Sequence, residues 1–160
     1  MKKEYMYLRE NDLDEFIEYI DNLDIQTINP NIKLLYKNPQ TILQRQEAGI
    51  ELIELCKMQD KIVGCICAVA NSADQDSVWN VAFFYLSQGT DETCYKEMLA
   101  NFVYELNKRT FLKITSTFLA NQKKQQEAFI ECGFVPEGYF RSAIGKGKDL
   151  ITYSLFAEER

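Results

Sequence analysis

The residue types available for chemistry are few, and one absence is decisive. The chain contains no histidine. A serine or cysteine nucleophile activated by imidazole is excluded, as is a metal site built on imidazole ligands. Cys65 and Cys67 stand two apart, so a strand would put both thiols on one face. Zinc needs further ligands, and no second close pair of cysteines exists. No metal site is expected, and Cys56, Cys65, Cys67, Cys94 and Cys132 read as reduced core fillers. The segment Gly145-Lys146-Gly147-Lys148-Asp149 has the composition of a phosphate loop. It lacks the G-x-x-x-x-G-K-[ST] spacing and opens no helix, so it reads as a hairpin turn. Trp79, Phe83, Phe84 and Tyr85 concentrate aromatic surface. They can wall an apolar pocket for a ligand, or belong to a strand buried on both faces; the second reading is preferred.

The elements that must carry these residues follow from hydrophobic spacing. Tyr5–Arg9 reads as a first strand. Asn11 or Asp12 caps a helix with Leu13, Phe16, Ile17 and Ile20 on one face. Residues 22–38 read as irregular, and Pro39 opens a second helix that Gly49 ends. Three strands follow as a meander: Ile50–Met58, Lys61–Ala70 and Val78–Leu86, the first two joined by Gln59-Asp60. From Glu92 to Arg109 the period changes to helical, through Met98, Leu99, Phe102 and Leu106. Phe111–Leu119 is a strand, Gln122–Cys132 a helix stopped by Gly133, and Phe134–Ile144 with Leu150–Phe156 a final hairpin. This order is α+β, or mixed α/β, with a sheet covered by helices.

Totals narrow the setting. The chain has 160 residues, suited to a single domain over 1–160. Its net charge of −6 argues against a nucleic-acid partner, which needs a clustered basic face. No apolar run is long enough to span a bilayer, and Met1 to Tyr7 does not resemble a secretory leader, so a cytoplasmic protein with no membrane association is expected.

From about Val78 onward the text resembles the GNAT acyltransferase superfamily, and within it the ribosomal-protein N-terminal acetyltransferase type. The resemblance rests on Asn121 opening a helix, then Gly133-Phe134, Glu137-Gly138, Arg141, Asp149 and Tyr153-Ser154-Leu155, in that order. It implies a mixed, mainly antiparallel sheet of about seven strands flanked by about four helices. It also implies acyl transfer from acyl-CoA, most simply acetyl-CoA, to an amine of a small molecule or peptide. The cofactor arm would lie along the main chain of Phe84, Tyr85 and Leu86. Its diphosphate would meet the helix start at Thr93, Cys94 and Tyr95, with Asn121 nearby, because unpaired N–H groups there attract anions. Homodimers are common in the family.

The sequence departs from the family pattern at that helix start. The family loop reads Q/R-x-x-G-x-G/A; here it is Thr90-Asp91-Glu92-Thr93-Cys94-Tyr95. Both small positions are lost, and two acids stand where a diphosphate belongs. The tyrosine that protonates the leaving thiolate in many members is replaced by Phe129, which has no proton to give. Asp76, Asn80 and Glu137 are the polar residues nearest the expected centre, and none is assigned as catalytic. Three readings therefore stand: an N-acyltransferase that prefers cationic acceptors, a catalytically inactive GNAT-fold protein binding another ligand or a protein, and an unrelated α+β binding module.

Overall fold

A computed structural model describes residues 2–24, 30–74 and 76–157. Its strands are β1 (Lys3–Tyr7), β2 (Glu51–Met58), β3 (Lys61–Ala70), β4 (Val78–Leu86), β5 (Lys113–Leu119), β6 (Val135–Phe140) and β7 (Leu150–Phe156). Its helices are α1 (Leu13–Asp21), α2 (Pro30–Leu35), α3 (Pro39–Glu47), α4 (Thr93–Lys108) and α5 (Lys123–Glu131), with one 3-10 turn over Glu10–Asp12 before α1. The additional helix is α2, which lies in the segment expected to be irregular. Pro30 stands at its first position, where a missing N–H costs nothing.

The seven strands form one sheet in the order β1-β2-β3-β4-β5-β7-β6. Every pairing is antiparallel except β4 with β5. The β2–β3 hairpin turns through Gln59 and Asp60 at φ 50° and 62°, the two positive angles of a type I′ turn. Gly64 is needed for close approach of β3 to β4, since a Cβ there would stand 2.8 Å from the Tyr85 carbonyl oxygen.

Each face of the sheet has its own core. Met98, Leu99, Phe102 and Leu106 of α4 are wholly buried, at the three- and four-residue spacing that lines one helix face. They pack with Ile66, Phe84 and Phe129. On the other face Phe16, Ile20, Tyr36 and Ile42 cover Ile53 and Leu55. Gly133 at φ +88° ends α5, and the Phe134 N–H returns to the Phe129 carbonyl at 3.0 Å, as in a glycine-capped helix end. None of the described helices is long and apolar enough to cross a membrane.

One expectation is corrected. β4 is not buried on both faces: Trp79, Val81, Phe84 and Leu86 are buried, whereas Asn80 is exposed and Phe83 and Tyr85 are half-exposed. The strand alternates because α4 and α5 close one side completely, while α1 reaches only part of the other.

Candidate active site

The parallel contact between β4 and β5 is brief. Val78, Trp79 and Asn80 pair with Lys113, Ile114 and Thr115, and no pairing continues beyond them. β4 then runs on to Leu86 and β5 to Leu119, so the strands part into a fork. At its apex the Ser116 hydroxyl donates to the Val81 carbonyl at 3.3 Å, bridging the first unpaired step. Beyond that point β4 has ladder hydrogen bonds to β3 only, which frees main-chain groups of alternate residues toward the gap.

On the α4–α5 side the gap is floored by rings. Phe118 of β5 stacks on Phe129 of α5 at 5.4 Å, and Phe84 of β4 meets Phe129 edge-on at 5.8 Å. Tyr95, in the first turn of α4, meets Phe84 edge-on at 5.1 Å. Burial is the main force raising the Tyr95 phenol pKa, and a hydrogen bond with the Leu86 backbone pulls it back.

The start of α4 is closed by the chain itself. The Thr93 N–H donates to the Asp91 carboxylate at 3.0 Å. Those of Cys94 and Tyr95 donate to the Asp91 and Glu92 carbonyls at 3.0 and 3.1 Å. Lys3 lies 3.3 Å from the Asp91 carboxylate and 3.2 Å from the Thr93 hydroxyl, and Lys124 pairs with Glu92 at 3.3 Å. The backbone and side-chain hydrogen bonds from Thr93, then that from Lys3, hold Asp91 below the usual carboxylate range.

The other side of the fork is a polar ladder. Thr117 and Thr152 share a hydrogen bond at 2.7 Å, and the Ser154 hydroxyl lies 3.1 Å from that of Thr115. Glu137 accepts from Lys113 at 2.5 Å and also from Ser154. Lys113 and then Ser154 lower the Glu137 pKa. Facing this ladder across the gap, Phe83 stacks on Tyr85 at 5.9 Å, and Tyr19 of α1 leans on Tyr85 at 6.4 Å.

No family model matches the sequence, and no curated protein matches it. Solved structures do. A ribosomal-protein-alanine acetyltransferase from Vibrio fischeri superposes with a TM-score of 0.76 at 12% identity, over 99% of this chain and 95% of that one. A ribosomal-protein-alanine N-acetyltransferase from Brucella melitensis gives 0.72 at 14%, over 96% and 99%. A ribosomal-protein α-N-acetyltransferase solved in complex with coenzyme A gives 0.74 at 11%, over 99% and 96%. The chain has the GNAT fold.

On the GNAT frame the expected site residues divide. Phe84, Tyr85 and Leu86 lie on the stretch of β4 that pairs with β3 alone, beside the fork. Thr93, Cys94 and Tyr95 begin α4 beside it, but their N–H groups are already used. Asn121 lies in the exposed turn before α5; its carbonyl accepts from the Lys123 N–H at 3.0 Å and its side chain does not cap the helix. Asp76 is remote from the fork and lines a cavity of about 700 Å³ at the far end of α4, with Arg109 and Phe111. Asn80 is exposed beside Thr115, just before the strands part. Among the described residues no cluster of cysteines and carboxylates suits a metal ion, and the five cysteines are free.

The fit to coenzyme A is thus unequal. The ring-floored fork and the β4 edge suit an apolar arm with amide groups. The α4 start, as it stands, does not suit a diphosphate: the Thr93 N–H is already taken by the Asp91 carboxylate, and those of Cys94 and Tyr95 by main-chain carbonyls. Sequence reasoning missed Ser116 and Tyr19. Neither sits in a motif, and only the strand fork and the seat of α1 give them a role.

Proposed function

We propose that residues 1–160 form a single cytoplasmic N-acyltransferase domain, moving an acyl group, most simply acetyl, from acyl-CoA to an amine of a small molecule or peptide. The observation that carries this reading is the β4–β5 fork, three paired residues long before it opens beside the Phe84–Leu86 main chain. The GNAT neighbours named above act on ribosomal proteins, and one binds coenzyme A. Overall, the carbonyl–sulfur bond breaks, a carbonyl–nitrogen bond forms, and the amine proton leaves to give amide and free thiol. With Phe129 buried among rings, solvent supplies the thiolate's proton, and rate comes from holding the two reactants together. The acidic chain favours a cationic acceptor.

A second reading has its own support. The Asp91 cap on Thr93 takes up the N–H that a donor's diphosphate would use, as in a GNAT-fold protein that binds another ligand or a protein partner without catalysis. Calorimetric titration with acetyl-CoA, with desulfo-CoA as comparator, separates them. Micromolar binding supports the acyltransferase; no heat at millimolar ligand overturns it in favour of the second reading.

A further inference from the structure

A second opening lies at the other end of α4, away from the fork. β4, β5 and β7 bring their ends together there: the Leu112 N–H donates to the Ser77 carbonyl at 2.9 Å, and the Ala157 N–H to the Leu112 carbonyl at 3.0 Å. α4 stops at Lys108 and α5 at Glu131, and a cavity of about 700 Å³ remains beside those strand ends. Its inner wall is apolar, with Val103, Phe111 and Leu155 continuous with the core. It also carries one carboxylate, Asp76, and one guanidinium, Arg109, both on exposed residues. Among the described residues neither forms an ion pair. The Arg109 guanidinium lies over the Trp79 ring at 5.8 Å, just past the carbonyl end of α4, which favours a cation. A guanidinium stacked on indole keeps the N–H edge that grips a carboxylate.

We infer that this cavity binds a free α-amino acid with a large apolar side chain, its carboxylate on Arg109, its ammonium on Asp76 and its side chain on the apolar wall. A fatty acid or a diamine would leave one of the two charges opposed or unanswered. A zwitterion has no net charge, so the −6 of the chain does not repel it. The 16 residues of α4, about 24 Å, separate this cavity from the fork, so the site stands whether or not the fork moves acyl groups.

Trp79 is the one tryptophan of the chain and lies against Arg109, so its emission reports on the guanidinium. Titrating the full chain with L-leucine should change that emission saturably, with a Kd of about 1 mM, the scale for so small a ligand. Cys132 also lines the cavity and is the one half-buried thiol of the five, so leucine should slow its alkylation over the same range. Leucinamide lacks the carboxylate and N-acetylleucine the ammonium. Each should bind about fivefold more weakly than leucine, the scale of a charge-assisted contact on an exposed residue. In Arg109→Gln leucine should fall to the level of leucinamide, and in Asp76→Asn to that of N-acetylleucine. Should either variant fail to fold, the three ligands compared on the wild type still decide the matter. Neither an emission change nor protection of Cys132 at leucine far above that Kd overturns the site. So does leucinamide or N-acetylleucine binding the wild type as tightly as leucine, or leucine affinity unchanged in either variant.

Discussion

The Thr93 backbone N–H donates to the Asp91 carboxylate at 3.0 Å, two residues apart at the start of α4. On the proposed acyl-CoA reading the donor's diphosphate meets this helix start, where the chain already carries an anion. Replacing Asp91 by Asn removes the charge and keeps a weaker cap. Coenzyme A affinity should rise on the order of tenfold at low ionic strength, the effect of clearing one repulsive charge from a binding site. Calorimetry on both proteins at two salt concentrations checks it. Unchanged affinity would show that the Asp91 charge does not oppose the ligand.

Phe129 invites the substitution Phe129→Tyr, which would place a phenol where the GNAT resemblance implies an acid. The ring is wholly buried between Phe118, Phe134 and Tyr153. A hydroxyl there finds no room and no assured partner, at a cost of roughly 1–3 kcal/mol. Urea denaturation should show that loss, and turnover should not increase. Phe129→Ala should cost more, about 3–5 kcal/mol, because it also leaves a cavity.

Glu54 is buried beneath α4, and burial raises its pKa from 4.5 to about 9, against an opposing hydrogen bond from Asn101. The folded chain therefore keeps a proton there that the unfolded chain gives up. Stability from this group is whole below pH 4.5 and drains away as pH rises toward about 9. Glu51, raised by burial to about 7 with Arg45 opposing, adds in the same direction over a narrower window. In Glu54→Gln the decline should flatten. Its stability relative to wild type should grow by up to about 1.4 kcal/mol per pH unit, measured by chemical denaturation from pH 5 to 8.

The Gln59-Asp60 turn holds two side-chain-bearing residues at positive φ. Asn-Gly satisfies a type I′ turn with less strain. The double substitution Gln59→Asn with Asp60→Gly should stabilise the β2–β3 hairpin by about 1 kcal/mol, raising Tm by roughly 2–4 °C. Differential scanning calorimetry would read it.

Much of the fold was legible residue by residue. Lys61–Ala70, Val78–Leu86 and Leu150–Phe156 were expected with the bounds observed, and α4 to within one residue at each end. The short helix α2 was not: six residues with no buried side chain leave no hydrophobic period to read. The unequal burial of β4 also escaped, because an aromatic run looks the same whether a helix covers one face or two.

By itself the sequence determined the periods, the glycine stop after α5, the absence of imidazole chemistry and the loss of small residues at the α4 start. These are properties of neighbours along the chain, where spacing alone dictates which side chains share a face. Only the tertiary structure decided that β4 and β5 part after three pairs, that Lys3 answers Asp91 across 88 residues, and that Tyr19 reaches Tyr85 beside the gap. Those relationships arise where helices seat on a sheet, and packing between distant segments, unlike periodicity, leaves no local mark in the chain.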